Sequence, residues 1–254
     1  MATYKKRGYK PKTKAEKEEQ LEEGSATAEV FNTLDEGASK TEAWVEKNQK
    51  YILIVVGAIA VCVLGYLGYQ QFVQNPKSAE AMNEMYRAQG YFEQALAAEN
   101  SDSLYTLALN GGAGKYGFLD IIDNYGSTPA GNLANYYAGM AYLNTNNYQA
   151  AIDHLDAFKS DDDMLAPLAK GAIGDAFIQL GQTEEALGYY KEAANMRSNE
   201  VTTPRFLLKA GVTALNLGKT GEAVGYFETI TEEYSNSLEA SDAKVYLGKA
   251  QAMQ

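Results

Sequence analysis

A few short features of this chain carry the residue types that do chemistry in other proteins. Cys62 is its single cysteine and His154 its single histidine, which leaves little material for a metal site or a nucleophile–base pair. Cys62 lies inside an apolar run, so no disulfide forms within the chain. His154 stands beside Leu155 in a helical pattern and reads as an ordinary packed or surface side chain. Asn110-Gly-Gly-Ala-Gly-Lys115 has the look of a phosphate-binding loop. The Walker spacing, however, needs glycine where Leu109 stands, Ser or Thr where Tyr116 stands, and a preceding strand. It reads as a flexible connector. Asp161-Asp162-Asp163 lacks the alternating ligand spacing of a calcium loop and reads as a solvated segment. No grouping of acid, base and nucleophile remains. The expectation is a non-enzyme with no cofactor and no metal.

The elements around these residues divide by charge. Residues 1–50 hold ten basic and ten acidic side chains, residues 51–73 hold none, and the rest hold twelve basic against twenty-three acidic, which is the whole of the −11 net charge. An acidic C-terminal part repels phosphate backbones, so nucleic acid is not its expected partner.

Residues 51–73, YILIVVGAIAVCVLGYLGYQQFV, form an uncharged run. A helix rises ~1.5 Å per residue, so about 20 residues cross a bilayer core of ~30 Å. Trp44, Tyr51, Tyr66 and Tyr69 suit the headgroup belts. Fifty residues precede the run and no small-residue cleavage motif follows it, so it reads as an uncleaved signal anchor. Asn75-Pro76 is expected to end the helix, and Ser39-x-x-Glu42 has the capping-box form that would start it. Ala58, Cys62 and Gly65 make a small-residue stripe on which a partner helix would pack. Lys5, Lys6, Arg7, Lys10, Lys12, Lys14, Lys17, Lys40, Lys47 and Lys50 precede the span, against Lys77 and Arg87 shortly after it. That bias sets the N-terminus inside. Residues 1–25 lack apolar periodicity, and the tail 1–38 is expected to be disordered and cytoplasmic, its basic block able to touch anionic lipid or ribosomal RNA. Val30, Phe31 and Leu34 share one face of a short docking helix.

Periodicity dominates the rest. YYAGMAYLNTNNYQAAIDHL from Tyr136, GAIGDAFIQLGQTEEALGYY from Gly171 and LKAGVTALNLGKTGEAVGYF from Leu208 align. Gly139, Gly174, Gly211 and Gly248 recur as small residues, Asn146, Gly181 and Gly218 as turn residues, and Ala151, Ala186 and Ala223 as helix contacts. Leu155, Tyr190 and Phe227 follow four residues later. Antiparallel helices approach closely only where side chains are small, and a large residue one turn on fills the space beside the contact. This pattern resembles the tetratricopeptide repeat (TPR), although its tryptophan is missing and its proline comes late. Phe118, Ile121 and Tyr125 stand in register with Phe227, Ile230 and Tyr234, so Tyr116–Tyr125 reads as the second helix of a degenerate first repeat. Its first helix is poorly marked, with helical patterns at Ser78–Ala98 and Ser103–Leu109. Pro129, Pro167 and Pro204 are each expected just before a repeat's first helix, where a missing N–H costs nothing. Leu238–Met253 reads as a lone capping helix.

The expected fold is all-α, a single transmembrane helix followed by a TPR-like α-solenoid of about three and a half repeats. Its segments are the tail 1–38, a membrane anchor 39–75, a linker helix and degenerate repeat 76–128, and repeats 129–254. First-helix residues facing the concave side should be Tyr136, Met140, Leu143, Asp175, Ile178, Gln179, Val212, Leu215 and Asn216. They make a largely apolar groove for an amphipathic helix or extended segment of another protein. Tyr136 and Met140 stand where a carboxylate clamp would begin, which argues against chaperone-tail binding of that kind.

The order of these parts, with FLDIIDNYGST before NLANYYAGMAYL, resembles the YfgM-like ancillary subunits of the SecYEG translocon in a Bacteroidota-type version. The resemblance covers most of the chain through motifs that many envelope proteins share. It implies an inner-membrane protein with a periplasmic domain beside the translocon, handing client polypeptides to periplasmic chaperones. A general envelope scaffold for secretion or outer-membrane assembly is the alternative. A mitochondrial import receptor would pair an anchor with repeats facing the cytosol.

Overall fold

The computed structural model describes residues 26–254, with side chains from Thr41 onward. The basic tail, and the side chains of Val30, Phe31 and Leu34, lie outside the described residues. The chain divides into two units after Tyr69.

The first unit contains helix α1, Ala26–Tyr69. Its backbone is already helical at Ser39, so the Ser39–Glu42 box does not open it, and the expected boundary at 39 falls inside the helix. The helical segment that carries the uncharged run is long and apolar enough to cross a membrane, and none of its most apolar window is buried. Such a surface is stable only in an apolar surrounding, and a helix can enter one because its backbone groups are satisfied internally.

The second unit opens with a π-helical turn, Gln70–Gln74, followed by α2, Asn75–Ala97. Asn75-Pro76 therefore does not stop the helical backbone. Pro76 sits in the first turn of α2, where no N–H is needed, and wider turns of this kind occur where the regular ladder is interrupted. Ala81, Met85, Ala88, Phe92 and Ala95 recur at helical spacing along α2, and all five are buried. They pack with α3 (Asp102–Asn110), α4 (Phe118–Tyr125) and the first repeat helix into one cluster.

The 110–115 segment is an ordered turn rather than a loose connector. Gly112 and Lys115 exchange backbone hydrogen bonds of 3.2 and 3.1 Å, and Gly111, Ala113 and Gly114 have positive φ.

Three helix pairs follow: α5 (Pro129–Asn144) with α6 (Tyr148–Ala157), α7 (Leu165–Gln179) with α8 (Thr183–Asn195), and α9 (Thr202–Asn216) with α10 (Thr220–Glu233). Helix α11, Ala240–Gln251, caps the stack. Pro129 opens α5, whereas Pro167 and Pro204 are the third residues of α7 and α9, still within the turn whose N–H groups lack intrahelical partners. Each pair turns at a residue of positive φ: Asn146 at 61°, Gly181 at 74° and Gly218 at 73°. Glycine adopts that region without strain and asparagine is the next best tolerated.

The small-residue register has a steric basis at three of its four positions. A β-carbon on Gly139 would stand 2.5 Å from Leu155 Cγ, and one on Gly174 would stand 2.7 Å from the Tyr190 ring; Gly211 is as tightly covered by Phe227. Ala151, Ala186 and Ala223 are fully buried where the paired helices touch. Among the described residues no strand occurs; the Gly112–Lys115 bridge is isolated. The second unit is thus an all-α stack of three pairs and a half.

Candidate functional site

First helices α7, α9 and α11 stand side by side, and two clefts open between them and their neighbours. One, of about 360 Å³, is lined by Leu143, Asn146, Tyr148, Asp175, Ile178, Gln179 and Tyr190. The other, of about 340 Å³, is lined by Ile178, Tyr190, Leu208, Lys209, Val212, Thr213, Asn216, Asp242 and Tyr246. They share Ile178 and Tyr190, so they form one continuous surface. Its walls are aliphatic and aromatic, with carboxylate, ammonium and amide groups set among them. Such a lining suits a polypeptide segment, which offers apolar side chains and backbone polar groups together.

At its centre Asp175 is held from two sides. Tyr190 donates its hydroxyl to Asp175 Oδ1 at 2.6 Å, and Lys209 donates to both carboxylate oxygens, 2.7 Å at Oδ2. The Lys209 ammonium also lies 5.4 Å from the centre of the Tyr190 ring, over its face. Burial, and then the bond to Asp175, push the Tyr190 phenol far above its ordinary range. In the folded protein this tyrosine is a hydroxyl donor to Asp175. The network ties α7, α8 and α9 together and fixes the carboxylate's direction before anything binds.

Six of the nine expected groove residues line the clefts: Leu143, Asp175, Ile178, Gln179, Val212 and Asn216. Leu215 does not. It is 8 % exposed within the core cluster of α8–α11, because it falls on the side of α9 turned to the packed helices. Tyr136 and Met140 are half-buried and line neither cleft. Tyr136 packs against Phe158 and Tyr137, with ring centres 5.3 and 5.8 Å away, and burial raises its phenol pKa. Met140 bridges two core clusters. Tyr190 and Lys209 also line the clefts, although the repeat pattern marks Tyr190 only as a large packing residue and Lys209 not at all. The legible signal was a hydroxyl at Tyr190, in a slot that Leu155 and Phe227 fill with hydrocarbon alone.

His154 donates its Nδ1–H to Asn135 Oδ1 at 3.0 Å and stacks on Tyr142. Burial lowers its pKa against the opposing pull of Asp153 and Asp123. Asp162 accepts the backbone N–H groups of Met164 and Leu165, both at 2.8 Å, which lowers its pKa, and Asp161 pairs with Arg197 at 2.6 Å. These carboxylates serve loop structure. Among the described residues no cluster of metal-ligating side chains occurs. In α1, Ala58, Cys62 and Gly65 are exposed on one helical face, and nothing lies within 4 Å of a β-carbon placed on Gly65.

A stack of helix pairs with glycine notches and a lined face defines a protein-interaction solenoid. Two family models described as tetratricopeptide repeat match the chain, one over residues 138–200 and the other over 206–237. Helices α5–α10 are therefore tetratricopeptide repeats, and their role is protein–protein interaction. No curated protein matches the chain.

Proposed function

We propose that this chain is a non-catalytic, membrane-anchored accessory of the Sec protein-translocation machinery, which offers its repeat clefts to client or chaperone polypeptides. The observation that carries the binding part is the joined pair of clefts, with Asp175 pre-oriented by Tyr190 and Lys209 amid apolar walls. The anchor is α1, whose uncharged run exposes its side chains all round. Its flanking lysines favour a cytoplasmic N-terminus and a periplasmic stack in the bacterial inner membrane. The Sec assignment rests on the order of segments shared with YfgM-like subunits.

A photocrosslinker placed at Ala58 in the full-length protein, in its native membrane, tests the assignment. Capture of the channel subunit of the translocon is the expected result. Capture of only another assembly's components would make the chain a scaffold elsewhere in the envelope. Protease added outside the inner membrane should digest the repeats; protection would overturn the orientation. Ile178→Ser with Val212→Ser should weaken capture of client chains by the repeats and leave capture by α1 unchanged.

A further inference from the structure

The loops that join one repeat to the next carry a second periodic feature, outside the clefts. Met164, Val201 and Leu238 stand at steps of 37 residues, each just before a first helix, and their exposure is 38, 58 and 95 %. None lines either cleft. The first two of these loops are held in the same way. Asp162 accepts the N–H groups of Met164 and Leu165; its counterpart Asn199 accepts those of Val201 and Thr202, at 2.9 and 2.8 Å. Neighbouring loops are tied to each other, Asn199 Nδ2 donating to the Asp163 carbonyl at 3.0 Å and Arg197 pairing with Asp161. Met164 and Val201 are therefore held outward on adjoining loops, and Leu238 stands exposed at the next step of the same period.

The charge around them is one-sided. Asp161, Asp162, Asp163, Glu200 and Glu239 accompany the ridge, against Lys159 and Arg197, with Arg197 already engaged by Asp161. An acidic, apolar edge repels an anionic membrane surface and attracts cations. From this we infer that the inter-repeat edge docks an extended polypeptide segment in which apolar residues alternate with basic ones. Successive loops repeat at roughly the spacing of packed helices, ~10 Å, and an extended chain in the polyproline II form advances ~3.1 Å per residue with three residues per turn, which returns every third side chain to one face. An apolar side chain at every third residue thus meets Met164, Val201 and Leu238 in turn, and basic residues between them meet the carboxylates. This partner surface lies beyond the cleft reading, which stands or falls separately.

The test uses the full-length protein in detergent micelles and a fluorescein-labelled peptide of repeating Leu-Lys-Lys triplets, read by anisotropy. Val201→Ser with Leu238→Ser removes two apolar side chains from the contact and should weaken binding at least about tenfold. A second variant, Asp163→Lys with Glu200→Lys, should weaken it too and flatten its salt dependence. Both pairs are exposed, so the melting temperature should not change. A Ser-Lys-Lys peptide should bind more weakly than Leu-Lys-Lys. The inference is overturned if the two edge variants bind like the parent protein, if the serine peptide binds equally well, or if Ile178→Ser with Val212→Ser abolishes binding while the edge variants do not. That last outcome would send the peptide to the clefts and leave the cleft reading intact.

Discussion

In the pairs α5/α6, α7/α8 and α9/α10, each large side chain meets an absence. Leu155, Tyr190 and Phe227 lie where Gly139, Gly174 and Gly211 have no β-carbon. In the head formed by α2–α4, bulk meets bulk. Phe92 packs edge-on against Tyr105, Phe118 and Tyr137, with ring centres 5.5, 6.2 and 5.2 Å apart, and Phe118 stacks on Tyr137 at 5.2 Å. A glycine notch specifies one partner at one step and can be repeated without change. An aromatic cluster draws on four helices at once and cannot be tiled. The repeats therefore propagate, while the head terminates the stack and leaves its own periodicity hard to read.

The contrast can be broken from either side. Phe118→Ala removes a fully buried ring from the head and leaves its aromatic neighbours facing a cavity; a loss of about 3–5 kcal/mol is expected in urea unfolding followed by tyrosine fluorescence. Gly211→Ala gains helix propensity of about 1 kcal/mol but forces a methyl into the Phe227 ring, and a net loss of about 1–3 kcal/mol should result. Gly248 occupies the same register position, yet nothing lies within 4 Å of a β-carbon placed there. Gly248→Ala should instead stabilise the protein by about 0.5–1 kcal/mol. Destabilisation there would show that the notch matters for a reason other than its occupant.

The smallest effect concerns His154, at the junction of the two regions. Burial lowers its folded pKa below the ordinary 6.5. The folded state therefore binds the proton less readily than the unfolded chain. Its contribution to stability is complete above the ordinary pKa and is lost as pH falls through the folded value. Urea midpoints should decline from pH 7 downward, and His154→Gln should flatten that decline before the carboxylates titrate.

Much of this molecule is written in local residue types. The uncharged run fixes a helix long and apolar enough to cross a membrane, because no charged residue interrupts it. The recurring glycine, alanine and large-residue slots fix the helix pairs, because close packing admits no other sizes. Phe118, Ile121 and Tyr125 showed α4 through their register with α10. Pro76 misleads in isolation. A proline is tolerated in a first turn, and only the π-helical turn before it makes position 76 a first turn.

The cleft divides in the same way. Asp175, Ile178, Val212 and Asn216 were legible because the exposed stripe of a first helix follows its period. Leu215 was not, since a rotation of α9 by part of a turn separates core from surface. The Tyr190–Asp175–Lys209 network is invisible in any one repeat because it joins α7, α8 and α9. The sequence by itself determined which helices pair and which segment is apolar enough to span a membrane, since both depend on side-chain size and charge at neighbouring positions. Only the tertiary structure decided which residues converge in the clefts and on the loop edge, since that convergence depends on how successive pairs rotate against one another.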